Sequence, residues 1–148
     1  MAVRMHDPGM ADALRRRVAS LTPDSRRVWG RMTIDQMLRH VNLVLAESVG
    51  EHTAERSIKG LPEWLIRFAI IYLPWGRGAP TRPDMRIPGS ERFDFAQEKQ
   101  RCLDLIDRVM ARPYDGPWPR AANFAMNGRH WSALNYKHLD HHLRQFGA

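Results

Sequence analysis

The feature that most constrains this chain is the spacing of its apolar residues, which recur three or four positions apart. No stretch shows the apolar–polar alternation of a half-buried strand. Four long segments carry the helical pattern, and we predict helices over residues 8–21, 33–50, 94–112 and 127–146. The pattern therefore predicts an all-α fold.

Local signals place the beginnings of three of these helices. Thr33 is followed three residues later by Gln36, which is the spacing of a capping box. Asp94 stands in the same relation to Gln97, and Asn127 is a good N-cap for the last helix. These residues offer side-chain oxygens to the N–H groups that the first helical turn leaves without partners.

The middle of the chain is less regular. A short apolar helix is predicted over residues 62–73, with a proline in its first turn. Residues 74–80 are too rich in glycine and proline for a helix or a central strand, so we predict a loop that extends to about residue 90. The whole pattern predicts one domain over residues 1–148, a four-helix bundle with a long, partly helical crossover between helices two and three.

Composition limits the possible partners. The chain of 148 residues carries a formal charge of +7, but this excess is spread along its length, which favours a solvated basic surface over a nucleic-acid groove. A nucleic-acid surface would require folding to gather arginines on one face; the candidates are Arg15, Arg16, Arg17, Arg26 and Arg27.

The single cysteine, Cys102, excludes an internal disulfide framework and any cysteine-rich metal site. We assign it to packing on the third long helix, because no activating neighbour is evident. The most apolar run, residues 64–75, is too short to cross a bilayer, and residues 1–10 lack the apolar stretch of a signal peptide. We therefore expect a cytoplasmic protein that does not act at a membrane.

Three of the seven histidines stand where helices of a bundle would bring them together. His138 and His142 are four residues apart on the last helix and project from one largely apolar face. His40 lies on the apolar side of the second helix, where an unpartnered imidazole would be costly. Three neutral imidazoles with open positions suit zinc, nickel, iron or copper, and the spacing does not choose among them.

Nearby polar residues could orient these ligands or move protons. Gln145 and Asn135 are the better candidates for accepting the second ring N–H of a ligating histidine, and Gln36 could do the same for His40. Glu47 lies two turns after His40 and could accept a proton, although a solvated glutamate near a helix end is the simpler interpretation. The catalytic candidates are therefore Glu47 and Gln145.

The other histidines have no predicted role in the site. His141 is offset around the helix from His142, so we expect it at the periphery or in an interface. His6, His52 and His130 fall in loops or at helix starts and are expected to be exposed. The aromatic residues of segment 64–75 are interpreted as a substrate lid or as the contact of a homodimer.

Two blocks of sequence carry a family resemblance. Residues 29–33 (WGRMT), running into residues 36–40 (QMLRH), and the C-terminal block KHLDHHLRQFG resemble the DinB-like superfamily of four-helix-bundle metalloproteins. The resemblance covers nearly the whole chain and is closest to a bacterial branch of unknown function. It implies one histidine ligand from the second helix and two from the last, which are His40, His138 and His142 here.

The resemblance also implies a chemistry. Members of this superfamily include S-transferases that use low-molecular-weight thiols such as bacillithiol or mycothiol, and a thiol-dependent maleylpyruvate isomerase. We expect a metal-dependent enzyme that transfers a thiol to a small molecule, with the thiol as co-substrate. Two alternatives stay open, a metal-dependent hydrolase and a non-catalytic metal-binding or interaction module with a basic surface.

Overall fold

The computed structural model describes residues 2–148, and these residues form helices and loops without any strand. The all-α prediction is confirmed. Five α-helices follow one another in the chain, with a short 3-10 turn between the third and fourth. They are α1 (Met10–Ser20), α2 (Ile34–Ser48), α3 (Glu63–Tyr72), the 3-10 turn (Pro83–Met85), α4 (Phe95–Ala111) and α5 (Gly128–Gln145).

The helices begin where their capping residues predict. Gln36 Oε1 accepts a hydrogen bond from the Thr33 backbone N–H at 2.9 Å, as a capping box requires. Asp94 accepts from the Gln97 N–H at the start of α4. Asn127 accepts from the backbone N–H of His130 at the start of α5. These bonds stabilise the first turns, whose N–H groups have no partner within the helix.

Four of the helices surround the larger cluster of buried apolar side chains. α2 packs against α4 and α5, and α1 packs against the same two helices. The predicted stripe of α1 points into this cluster, where Leu14 and Val18 are completely buried. Cys102 is also buried there, and burial raises the pKa of its thiol to about 12, which keeps it protonated and supports its assignment to packing.

The crossover between α2 and α4 contains α3 and the 3-10 turn. α3 packs on α5 through Ile66 and Ile71, which belong to a second apolar cluster that includes Trp131. Loops on both sides of α3 and the segment between α4 and α5 cover this second cluster. Ile58, Phe124 and Trp131 of this cluster line a cavity that the histidines of α2 and α5 also line, so the irregular part of the chain forms walls of a site.

The outer face of α3 is apolar and exposed. Trp64 is 62% exposed, and Phe68 and Tyr72 follow it along the same side of the helix. The predicted homodimer contact falls on this face and stays a prediction. No helix within residues 2–148 combines the length and the apolar character that crossing a membrane requires.

Ion pairs with acidic side chains neutralise part of the positive charge on the surface. Arg15 contacts Asp12 and Asp107, and Arg17 contacts Asp140, each at 2.6–2.7 Å. Two of the five arginines on which a nucleic-acid surface would depend therefore already have acidic partners.

Gly128, the first residue of α5, provides a test of this packing. A Cβ at Gly128 would overlap the carbonyl oxygen of Tyr114 and the indole nitrogen of Trp118, whereas a Cβ at Gly78 would meet nothing within 4 Å. We expect Gly128→Ala to lower the free energy of unfolding by about 1–3 kcal/mol, as overpacking does, despite the better helix propensity of alanine. Urea denaturation measures the change. Gly78→Ala is the control and should stay within about 0.5 kcal/mol of wild type; equal stability of the two variants would contradict the packing.

Candidate metal centre

His40, His138 and His142 converge in the interior, as the sequence predicts. Each offers one ring nitrogen to a cluster in which all three atoms lie within 4.8 Å of one another. His40 Nε2 and His138 Nε2 are 3.0 Å apart. The three side chains are only 5%, 7% and 8% exposed. Two helices that are distant in sequence thus bring together a group of donors that could hold one metal ion.

The helices hold these rings through their apolar neighbours. Met37 and Val41 flank His40 on α2 and are completely buried, which fixes the rotation of that helix. Leu139 and Leu143 follow the two α5 histidines and are buried in the same core. Because His138 and His142 are one turn apart, anchoring this face of α5 points both imidazoles toward α2.

Hydrogen bonds select the tautomers of two of the rings. His40 Nδ1 donates to the backbone oxygen of Met85 at 3.0 Å, and His142 Nδ1 donates to Gln145 Oε1 at 2.7 Å. Both oxygens can only accept, so each Nδ1 carries the proton and each Nε2 keeps its lone pair. Ligating histidines in metalloproteins are oriented in this way.

Gln145 makes the contact expected of a residue that orients His142, whereas a catalytic role for it stays a prediction. The structure also shows how its side chain is positioned. A Cβ at Gly30 would lie 2.9 Å from Gln145 Nε2, and Gly30 has a φ of 93°, a conformation that favours glycine. The Val28 N–H donates to the backbone oxygen of Gln145 at 2.6 Å. The loop before α2 therefore fits around the end of α5, which explains why the sequence needs a glycine there.

The donor set fits a divalent transition metal. Two nitrogens bound to one ion at about 2.0–2.1 Å in tetrahedral geometry lie roughly 3.3 Å apart. The observed 3.0 Å between His40 Nε2 and His138 Nε2 is close to this value. Nitrogens at this separation must share either a proton or a cation, because two lone pairs would repel each other.

Burial keeps the three imidazoles neutral. Desolvation is the largest cause of the lowered pKa of each, and the neighbouring rings add to it for His138 and His142. The pKa of His142 falls to about 3, and that of His138 lies well below its ordinary value. At neutral pH the rings are therefore in the unprotonated form that binds metals.

A cavity of about 530 Å³ opens beside the three histidines. Its walls come from α2, α3, α5 and the loops around them, and they are mostly apolar, including Trp75, Phe124 and Trp131. His141 also lines this cavity and is half-buried, with its ring against Trp29 and Trp75 at 5.0 and 5.6 Å. A cavity of this size can hold a small molecule.

Glu47 lies in the same cavity wall, and the expectation that it is solvated is wrong. It is 2% exposed, and its carboxylate accepts from Arg82 at 2.8 and 3.2 Å and from the Ala122 N–H at 3.1 Å. Arg82 also pairs with Asp84 at 2.6 Å. A buried carboxylate needs such partners, because removing it from water is costly. Its role as a proton acceptor stays a prediction.

Two other candidates for orienting the histidines contact different groups. Asn135 Nδ2 donates to Ser48 Oγ at 3.0 Å, and Gln36 Nε2 donates to the backbone oxygen of Glu91 at 2.8 Å. Both amides are buried where they join helices or loops to α2. Their hydrogen bonds stabilise the scaffold, so the role predicted for them beside the ligands is wrong.

The three remaining histidines are half-buried, and the prediction that they are exposed is wrong. His6 packs against Tyr114 and lies 2.8 Å from Ser132 Oγ, and His52 lies 3.3 Å from Asp84. His130 is partly covered at the start of α5. None of the three belongs to the cluster around His40.

The sequence did not predict that Met85, Arg82 and Lys137 contribute to the site or its surroundings. Met85 acts through its backbone oxygen, so its side-chain type carries no signal. Lys137 donates to the backbone oxygens of Ile70 and Leu73 at the end of α3 and lies over the Trp75 ring at 4.7 Å. Burial lowers the pKa of Lys137 to about 8. Only its position one residue before His138 could have drawn attention to it.

No family model, curated protein or solved structure matches this chain. The interpretation of the site therefore depends on its own geometry, and membership of the DinB-like superfamily stays a proposal.

The contact between Gln145 and His142 predicts a specific change in metal affinity. We expect Gln145→Ala to weaken zinc binding about 10–100-fold, because the His142 ring loses the acceptor that orients it. Gln145→Glu keeps an acceptor and should retain most of the affinity. Competition with a chelator measures both. Asn135→Ala, which removes a buried amide elsewhere on α5, is the control; equal losses for Gln145→Ala and Asn135→Ala would show that Gln145 acts only on the fold.

The lowered histidine pKa values predict the pH dependence of stability in metal-free protein. Below pH 6.5 the histidines of the unfolded chain bind protons that the folded chain excludes. Their contribution to the free energy of unfolding is therefore complete above that pH and is lost as the pH falls. Each histidine that stays neutral contributes up to about 1.4 kcal/mol per pH unit. Urea titrations between pH 7.5 and 5 measure the slope. His142→Gln should reduce it; an unchanged slope would contradict the neutral His142.

Proposed function

We propose that this protein is a metal-dependent enzyme that joins a small thiol to a small-molecule substrate at the three-histidine site. The observation that supports this most strongly is the convergence of three buried, neutral imidazoles beside a cavity of about 530 Å³. We also propose that the chain is a single DinB-like domain with a four-helix-bundle fold. The packing of α1 and α2 against α4 and α5 supports that arrangement.

The chain would hold the ion with His40, His138 and His142. Three protein ligands leave coordination positions for a thiol or for water, which is the arrangement of catalytic rather than closed structural sites. The bound ion would act as a Lewis acid that makes a thiol or a water molecule nucleophilic at neutral pH. Zinc, nickel and iron all accept imidazole ligands.

The protein residues supply binding, orientation and exclusion of water. The Met85 backbone oxygen and the Gln145 side chain hold the His40 and His142 rings with Nε2 toward the cluster. The cavity next to them has mostly apolar walls, from which a bound substrate would displace water. Electrostatic interactions with a bound substrate are stronger in such surroundings than in water.

Metal binding is the first test of this proposal. We expect the untagged protein to bind one zinc or nickel ion per chain, measured by calorimetric titration and by metal content after dialysis. His40→Ala, His138→Ala and His142→Ala should each lower the affinity by more than the roughly 10–100-fold expected for loss of an orienting contact. His130→Ala is a matched control outside the cluster. Unchanged metal content in His40→Ala and His138→Ala would refute the assignment.

Turnover tests the reaction itself. Activated electrophiles are incubated with the metal-loaded protein, with and without an added low-molecular-weight thiol. We expect conjugation that requires both the thiol and the histidines. Turnover that needs the metal but no thiol would refute the transferase proposal and indicate a hydrolase in which the nucleophile is water.

A further inference from the structure

We propose that the cavity beside the three histidines takes an uncharged, largely apolar ligand, the size of a bicyclic aromatic compound. This ligand is the electrophilic substrate, or its non-reacting part, and the inference rests on the function proposed above. It narrows the substrate class, which neither the donor set nor the family resemblance specifies.

The walls of the cavity favour an apolar occupant. Ile58 and Ile70 contribute aliphatic surface from the loop before α3 and from α3 itself, while Trp75, Phe124 and Trp131 contribute aromatic rings. Flat rings stack against such side chains, and the volume of about 530 Å³ lies within the range of small-molecule sites. An apolar ligand would release the water that covers these walls.

The one guanidinium among the residues that line the cavity is already paired. Arg82 donates to both oxygens of Glu47, at 3.2 and 2.8 Å, and to both oxygens of Asp84, at 2.6 and 2.9 Å. Of these two partners Glu47 is the one that lines the cavity, so a ligand carboxylate that enters from the cavity would compete with Glu47 for Arg82. That exchange would leave a carboxylate that is 2% exposed without its partner, which is strongly unfavourable.

Cationic ligands meet the same obstacle. The oxygens of Glu47 are occupied by Arg82 and by the Ala122 N–H, so an ammonium group would have to compete with an ion pair that is already formed. Lys137 lies outside the cavity lining and donates to backbone oxygens at the end of α3. The two charged residues of the lining, Glu47 and Arg82, are therefore paired with each other.

The polar side chains of Asn123 and Ser57 in the wall are also satisfied within the protein. Asn123 Oδ1 accepts from the backbone N–H groups of Ser57 and Ile58 at 2.8 and 2.9 Å. The Asn123 amide donates to Ser57 Oγ at 3.2 Å. This part of the wall therefore requires no hydrogen bond from a ligand.

The two reactants of the proposed transfer would therefore occupy different parts of the site. A thiol that carries several carboxylates would leave them without partners in this cavity, so only its sulfur is expected near the histidines. The apolar electrophile fills the cavity. An apolar pocket discriminates strongly against a charged group that it cannot pair.

A matched ligand series tests the inference. The probes share one naphthalene ring and differ in charge: 1-naphthylmethanol, 1-naphthoate and 1-naphthylmethylammonium. Each displaces the neutral fluorophore N-phenyl-1-naphthylamine from the full-length chain, before and after removal of metal with a chelator. We expect the alcohol to bind the metal-free protein at least about tenfold more tightly than either ion. An ion that binds as tightly as the alcohol would overturn the proposal.

Two substitutions locate the binding site. Ile58→Lys places a free cation in the wall. It should weaken binding of the alcohol about tenfold and strengthen binding of 1-naphthoate. Unfolding of the variant cannot produce this reversal of preference. Trp64→Lys makes the same kind of change on the exposed face of α3, and Trp64 lies outside the cavity lining. This substitution should change the affinity of neither probe. A reversal in Trp64→Lys but not in Ile58→Lys would overturn the proposal, because the probes would then occupy the face of α3.

The measurements also separate this inference from the metal function. Zinc titration of the wild-type protein tests the histidines, whereas probe binding to metal-free protein does not involve a metal. Tight binding of the alcohol without zinc binding would support the ligand class and refute the metal function. Zinc binding without preference for the alcohol would refute the ligand class alone.

Discussion

The site depends on the burial of three imidazoles that must remain neutral. An ionised imidazole in this apolar interior would be strongly destabilising, and the lowered pKa of His142 reflects that cost. Neutral rings still carry polar nitrogens, which need partners. The Met85 backbone oxygen and Gln145 satisfy one nitrogen on two of the rings, and one nitrogen from each of the three rings faces the centre. A divalent cation is a partner that all three can share.

The contact between Glu47 and Arg82 assembles the cavity next to this centre. Glu47 belongs to α2, Arg82 to the long crossover, and Ala122 to the segment between α4 and α5. One buried carboxylate therefore joins the wall-forming loops to the helix that carries His40. Desolvation offsets much of the attraction within a buried ion pair. The same pairing removes free charge from the cavity.

Much of the scaffold could be predicted from local patterns. The capping residues Thr33, Asp94 and Asn127 act within a single turn, so their effect does not depend on distant contacts. The histidine cluster was also predictable, because helical spacing puts His138 and His142 on one face and His40 on an apolar one. The environment of Glu47 was not, because its partners lie 35 and 75 positions away in loops without periodicity. Gln36 was misassigned for the same reason, because its amide donates to the backbone oxygen of Glu91 in the crossover.

The sequence by itself determined the helical character of the chain, the starts of three helices and the residue types that face the interior. These properties depend on neighbours within one or two turns. The tertiary structure decided which oxygens orient the imidazoles, which acid pairs with Arg82 and whether the cavity carries a free charge. Those outcomes depend on where the crossover and the segment before α5 cross α2, and loop paths are set by contacts between residues far apart in the chain.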